Sequence, residues 1–335
     1  MRVIRLHTAG VLKLHDEPVP TPGADEMLVH VTAVGVCGSD LHWFSEGSIG
    51  DARLDHPLVL GHEFAGVISD GQRVAVDPAV ACGKCEYCLE GSPNFCEHMR
   101  FAGHGSDDGA LREYVAWPTR FLYPLPDSIS DAEGAMLEPF GVALYAVDLA
   151  GLRPGMRVGV FGCGPIGLLV VQLVRISGAV QIITTDKLPH RLGAAQAMGA
   201  SITIPADAGR EIPEIMSATR NRGLDVAFEV AGENEAVETA IAVTRPGGRV
   251  ILAGIPADDR TSFTASVARR KGLSLQLVRR MKHTYPRAIR LVEQGLIDVR
   301  SVVSHHFPLE EAAGAFTVAS KREGLKIIID IESGG

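Results

Sequence analysis

The sequence predicts a two-domain α/β protein, an irregular and mostly β domain joined to a doubly wound parallel sheet. Three observations predict it. Residues 1 to about 130 read as short β-rich runs separated by Gly, Pro and Asp. From about 157 onward, apolar strands alternate with helical segments, the pattern of a parallel sheet covered by helices. The strand at 157–161 also runs straight into a Gly-x-Gly-x-x-Gly turn followed by a helix. With 335 residues the chain has room for two or three domains.

Composition narrows the functional classes. The chain is 46% hydrophobic and 21% charged, which suits a globular protein with a substantial core. A formal net charge of -8 gives no reason to expect a nucleic-acid partner. The opening Met1-Arg2-Val3-Ile4-Arg5-Leu6 lacks the apolar run of a secretory leader, and no stretch approaches 18 apolar residues, so neither membrane insertion nor export is expected. The expectation is a cytoplasmic protein. Four of its six cysteines fall between 82 and 96, a clustering that in a reducing compartment points to metal rather than disulfides.

In the first half, residues 27–34, 64–68 and 73–76 read as strands, and Pro18, Pro20, Pro22 and Gly23 break the connection before them. The segment Cys37-Gly38-Ser39-Asp40-Leu41-His42 places a thiol, a hydroxyl and an imidazole in six residues. Alone it fits either a core cysteine beside a helix cap or a site for metal and proton chemistry. His62 and Glu63 are adjacent, with Gly61 permitting a bend before them. Together with Cys37 they offer S, N and O donors, a set that suits zinc with a position left open. The pattern Cys82-x-x-Cys85-x-x-Cys88-x7-Cys96 is more specific, because four thiolates in one excursion can close a tetrahedron around a structural zinc. Such a loop would be ordered largely by its ion.

Near 130 the character changes. Ser130 or Asp131 can cap a helical stretch that runs through Glu138-Pro139. Glu138 stands among apolar residues, as a solvated helix position or as a carboxylate with a partner. The turn Gly162-Cys163-Gly164-Pro165-Ile166-Gly167 then lets a pyrophosphate approach the N-terminus of the helix that follows. A second strand, 180–185, ends at Asp186, 24 residues beyond the first glycine of the turn. That is the position of a carboxylate that binds the adenosine ribose hydroxyls and repels a 2′-phosphate, so NAD is favoured over NADP. Lys187 and Arg191 follow closely and could relieve part of the repulsion. A strand at 223–230, a helix at 234–243, a turn at Arg245-Pro246-Gly247-Gly248 and a strand at 248–254 continue the alternation. Val230-Ala231-Gly232 and Gly254-Ile255-Pro256 are strand-end turns, available for backbone contacts to nicotinamide and ribose. The tail reads as an amphipathic helix at 285–294, a short helix at 307–316 and a final strand at 326–330.

Taken together, GVCGSDLH (35–42), LVLGHEFAGVI (58–68), the four-cysteine run (82–96), EP (138–139), GCGPIG (162–167) and TYPRAI (284–289) resemble the zinc-dependent medium-chain dehydrogenases. Within that family the chain is most similar to the sorbitol and polyol dehydrogenase branch, with the threonine and glucose dehydrogenase branches sharing much of the pattern. The resemblance implies a GroES-like catalytic domain made of both chain ends, 1–145 and 286–335, around a Rossmann domain at 146–285. It implies two zinc ions and NAD. Cys37 and His62 would be ligands of the catalytic zinc, Glu63 would bind directly or through water, and Glu138 would lie near enough to exchange with water. Ser39 and His42 would relay the alcohol's proton outward, and Trp43, Phe101, His104 and Arg280 would line the substrate pocket. Met281 stands where polyol enzymes commonly carry an aromatic residue. The implied reaction passes a hydride between a secondary alcohol and NAD. A general secondary alcohol dehydrogenase, a zinc-free NADPH-dependent reductase and a non-enzymatic zinc- or nucleotide-binding protein are the alternatives. A small-molecule alcohol or ketone is the expected partner, and the family leads to the expectation of a homodimer or homotetramer.

Overall fold

The computed structural model describes residues 1–206 and 209–331. Its contacts divide the chain into two compact units, Met1–Gly141 with Tyr285–Gly335, and Val142–Thr284.

The first unit is built on a seven-stranded sheet whose central strand is Glu26–Gly35. Glu63–Ile68 pairs antiparallel along one edge of that strand. The other edge is shared, Tyr114–Pro118 pairing with its first half and Lys326–Asp330 with its end. The last strand of the chain is thereby set beside residues 33–35, close to the start of Glu63–Ile68. Val29, Val31, Val34, Phe64, Trp117 and Phe316 belong to the buried cluster on which this sheet rests. Tyr285 anchors the returning segment, its hydroxyl donating to the Val76 carbonyl at 2.7 Å and its ring stacked 4.6 Å from Tyr123.

The second unit is a six-stranded sheet, parallel throughout. Numbered along this unit, the strands lie in the order 3-2-1-4-5-6, from Ile202–Pro205 through Gln181–Asp186, Arg157–Phe161, Leu224–Glu229 and Thr244–Leu252 to Ser274–Leu277. Helices Pro165–Ile176, Pro189–Ala197 and Asn234–Val243 make crossovers between them. Leu224–Glu229 is buried at every residue, as expected for a central strand covered on both faces. The strand order reverses between Arg157–Phe161 and Leu224–Glu229, which makes their carboxyl ends the crevice where a dinucleotide belongs.

Three expectations from the sequence need correction. Arg245-Pro246-Gly247-Gly248 is not a turn that ends one element and starts another. It lies inside the strand Thr244–Leu252, where the pairing jumps from Leu224↔Thr244 to Val226↔Arg249 and the intervening residues bulge out. A bulge tolerates a proline because the missing N–H has no ladder partner to lose. Residues 307–316 are not one helix either. Phe307 and Pro308 finish the strand Val303–Pro308, a 3-10 turn covers Leu309–Glu311, and the helix is Ala312–Ser320. The residue before a proline avoids the helical region, which keeps Phe307 extended. The stretch from 130 is likewise two helices, Asp131–Ala135 and Leu137–Ala150, the first capped by Ser130 and Glu133 in a reciprocal box.

Asp225 pins the base of the second sheet. Its carboxylate accepts from the Arg157 N–H at 2.9 Å, from Arg222 at 2.7 Å and from Arg245 at 2.6 Å. Burial opposes its charge, but these donors win and hold the carboxyl well below the usual carboxylate range. A folded-state pKa lower than the unfolded one stabilises the fold above pH ~4, and the benefit fades as pH falls through the depressed value. Asp225→Asn should therefore cost about 1–2 kcal/mol at pH 7, the low end for charged hydrogen bonds because both arginines are partly exposed. Denaturant melts should show that gap closing below pH ~3; a gap independent of pH would contradict the assignment.

Candidate active site

The first unit brings Cys37, His62 and Glu63 together. One donor atom from each lies within 4.8 Å of the others, although 25 residues separate Cys37 from His62. Cys37 is the N-cap of helix Gly38–Glu46, and Glu63 opens the strand Glu63–Ile68. Gly61, at φ 92°, makes the bend that delivers His62. The donors are a thiolate, an imidazole and a carboxylate, which is zinc chemistry with room for a further ligand. The residues fit the ion that the motif implies.

Asp40 sets the orientation of this group. It is almost fully buried and lies 3.4 Å from His62 Nδ1. Its carboxylate also accepts from the N–H groups of Cys37 at 3.0 Å and Gly61 at 3.3 Å. A carboxylate on Nδ1 leaves Nε2 free as the ligand nitrogen. Burial opposes the Asp40 charge, but His62 and the two backbone donors keep its carboxyl below the usual range. Burial also opposes an imidazolium at His62, yet Asp40 and Cys37 raise it well above its ordinary value. These neighbours favour positive charge at His62, and a divalent cation could supply it in place of the proton.

Glu63 has a partner of its own. Lys326, from the final strand, donates to both of its carboxylate oxygens, at 2.7 and 2.6 Å, and to the Val36 carbonyl at 3.0 Å. Both side chains are out of water. Glu138 stands outside the converging group. Burial pushes its carboxyl up to about 7, His62 and Lys326 pulling it down and Glu63 pushing it further up.

Ser39 and His42 lie on the same helix as the Cys37 cap. The Ser39 hydroxyl is 3.5 Å from His62 Nε2. His42 lies further along, partly exposed, with Nδ1 3.2 Å from Glu46. Phe101 packs 5.2 Å from the His62 ring, and Trp43 meets His104 edge-on at 5.7 Å. Trp43 is buried in the core beneath, so His104 and Phe101 have more surface to offer a ligand. Arg280 belongs to the second unit.

Cys82, Cys85, Cys88 and Cys96 converge in a separate excursion of the first unit, again with one donor each inside 4.8 Å. All six cysteines of the chain are free thiols. The N–H groups of Lys84 and Cys85 draw the Cys82 thiol down to about 6, whereas burial and the neighbouring sulfurs push Cys88 up to about 12. Four thiols this close resist ionising together until a cation joins them, the behaviour of a closed structural zinc site.

In the second unit, Gly162 has φ 103°, and a Cβ there would come within 2.8 Å of the Ala231 N. A Cβ on Gly167 would overlap the Gly162 carbonyl, while one on Gly164 would meet only Arg191 Nη1 at 3.6 Å. The outer glycines thus serve close packing, and the middle one keeps open the approach to helix Pro165–Ile176, which Pro165 and Ile166 begin. Asp186 accepts from the Cys163 N–H at 2.7 Å and the Leu188 N–H at 2.8 Å. A carboxylate has about four lone-pair sites, so acceptor capacity remains for ribose hydroxyls. Glu229 holds the other wall, accepting from the Ala231 and Gly232 N–H groups at 2.8 and 2.7 Å. Val230, Gly254 and Ile255 follow the carboxyl ends of the fourth and fifth strands, where Gly232 packs against Gly254 and Ile255. This cradle fits a dinucleotide.

Asp40, Lys326 and Glu229 are the residues that sequence reasoning missed. Asp40 was visible as the N3 position of a capping box with Cys37, and Lys326 as a lone cation at the head of the apolar run Lys326–Asp330. Glu229 carries no comparable signal beyond its place at a strand end.

Residues 23–127 match the alcohol dehydrogenase GroES-like domain, and residues 165–294 match the zinc-binding dehydrogenase family. The chain is 36% identical to sorbitol dehydrogenase of Bacillus subtilis, covering 98% of this chain and 97% of that protein. It is also 36% identical to the probable D-xylulose reductase A of Arthroderma otae, over 95% of this chain and 94% of the relative. The solved structure of L-idonate 5-dehydrogenase from Escherichia coli superposes with a TM-score of 0.91 at 29% identity, covering 98% of each chain.

If Asp40 sets the ligand face of His62, Asp40→Asn should weaken zinc binding by about 10–100-fold. Chelator competition reads this directly; an unchanged affinity would show that Asp40 caps the helix and does nothing for the ion.

Proposed function

The chain belongs to the zinc-dependent medium-chain dehydrogenases, in the sorbitol and polyol branch, and we propose that it oxidises a secondary alcohol of a polyol or vicinal diol to the ketone with NAD. One observation carries this reading. The Ser39 hydroxyl stands 3.5 Å from the Nε2 of His62, within the same helix–strand corner as the other metal donors. A site that only stored an ion has no use for a hydroxyl there, whereas alcohol oxidation must remove a proton beside the ion. The names of the relatives support the substrate class, since sorbitol, xylulose and idonate are sugar alcohols, ketoses or sugar acids bearing neighbouring hydroxyls.

When bound, zinc lowers the pKa of an alcohol hydroxyl and NAD takes up the hydride. The chain's own residues do the rest. Cys37, His62 and Glu63 would hold the ion, and Asp40 would keep Nε2 of His62 turned toward it. Ser39 would accept the hydroxyl proton as it gives up its own, and His42, on the same helix with Nδ1 3.2 Å from Glu46, is the candidate that releases a proton to solvent. The glycine turn and the helix that starts at Pro165 would receive the pyrophosphate, and Asp186 would accept from the ribose hydroxyls. An adenosine 2′-phosphate would face the Asp186 carboxylate, which favours NAD. Phe101 and His104 contribute walls on the metal side. Cys82, Cys85, Cys88 and Cys96 would hold a second, structural ion.

Among the described residues no helix is long and apolar enough to cross a membrane. Free thiols suit a reducing compartment, which supports a cytoplasmic enzyme. The reading includes a homodimer or homotetramer, as its family leads one to expect.

NADH appearance over a panel of polyols, vicinal diols, sugars and threonine tests the substrate class. Polyols or diols should be turned over fastest; turnover confined to threonine or an aldose would contradict it. In the same assay, Ser39→Ala should lower kcat by about 100-fold or more while NAD affinity holds. Equal losses in both would contradict the relay.

A further inference from the structure

The Glu63 carboxylate faces two claimants, the metal position on one side and Lys326 on the other. We propose that Lys326 is a positioning residue that shares this carboxylate with the ion, holding Glu63 back from full coordination and thereby setting how tightly the ion is kept. The inference rests on the metal site read above.

Strand register builds the arrangement. Gly35 pairs with Glu63 on one side and with Ile328 on the other. Residues two apart on a strand share a face, so Lys326 lies on the face of Ile328, diagonally across Gly35 from Glu63. A Cβ on Gly35 would fall on the Glu63 carboxylate. The bare glycine is therefore the gap through which the two side chains meet. Within it the ammonium has no spare donor. Two of its hydrogens go to Glu63 at 2.6 and 2.7 Å and the third to the Val36 carbonyl at 3.0 Å. Lys326 is 3% exposed and Glu63 is fully buried, so water screens neither.

Charge counting gives the consequence. A thiolate and a free carboxylate would together neutralise a divalent cation. With the ammonium in contact, part of the Glu63 charge is answered by Lys326 rather than by the ion. That competition loosens the ion's hold on the carboxylate and leaves more of the ion's charge for an anionic ligand to balance.

Zinc affinity tests this, because a merely structural lysine and a competing lysine predict opposite directions. By chelator competition, Lys326→Met should bind the catalytic zinc about tenfold or more tighter than the parent, the scale on which partners of metal ligands act. Lys326→Arg, which keeps the charge, should stay close to the parent. Lys326→Gln keeps a donor for the Val36 carbonyl without the charge, and carries the same expectation as the methionine variant should that one fail to fold. Equal or weaker zinc binding in the uncharged variants would overturn the proposal. A parent protein whose zinc does not depend on Cys37 would overturn the metal site itself, and with it this inference. A Cys37-dependent zinc that is indifferent to Lys326 overturns the inference alone.

Discussion

Charge buried without water has to be answered by charge, and the ion pair between Lys326 and Glu63 is where the first unit meets that constraint. Removing one member of such a pair typically destabilises a protein by about 3–5 kcal/mol, because the survivor is left buried and unpaired. The pair joins residues 263 apart in the chain. It makes the returning strand Lys326–Asp330 part of the candidate metal site rather than a late addition to the sheet. Gly35 is required for the same reason, since a side chain there would occupy the space in which the charges meet. Asp40 repeats the logic on the other side of the site. It is buried, it answers His62, and its remaining acceptor capacity is filled by the backbone of Cys37 and Gly61. Each candidate metal donor of this group except the Cys37 sulfur is thus held by a charged residue behind it.

The second unit solves a different problem, the close approach of a dianionic ligand to backbone. Here the requirement is for missing atoms. Gly162 and Gly167 bring a strand, a helix and the Ala231 turn closer than side chains would permit, and Gly164 leaves the approach to the helix N-terminus open. Carboxylates then fix what the glycines leave loose. Asp186 binds the turn from below, and Glu229 ties the turns after the fourth and fifth strands. Burial raises the Glu229 carboxyl above its ordinary value even though backbone donors oppose the shift, so its charge is strained and depends on those N–H groups. Rigid turns at the strand ends are what let backbone groups serve as ligands there.

How much of this could be read from the chain depended on distance. The four clustered cysteines and the glycine turn lie in short runs, and their spacing already carries their geometry. Strands such as Arg157–Phe161, Arg73–Val76 and Lys326–Asp330, and the helix Asn234–Val243, were legible because hydrophobic period and turn residues agree at both ends. The bulge at 245–248 was not, since Pro-Gly-Gly signals a turn locally and only pairing with Leu224–Glu229 keeps the strand continuous. Phe307–Pro308 misled in the same way, an apparent helix start that the neighbouring parallel strand holds extended. Asp40 and Lys326 escaped notice because their roles lie in what they touch. The sequence shows a capping acid and a strand lysine; only the fold sets the one against His62 and the other against Glu63.

The central claim is that one chain holds two ions in two unlike sites, a closed four-thiol site and a mixed site kept open for chemistry. Metal analysis of the purified protein beside its Cys37→Ala variant tests it most directly. Two zinc ions per chain should fall to one in the variant, with the fold intact and oxidation of every alcohol lost. A single ion in the parent that survives unchanged in Cys37→Ala would contradict the assignment of Cys37, His62 and Glu63 to a metal.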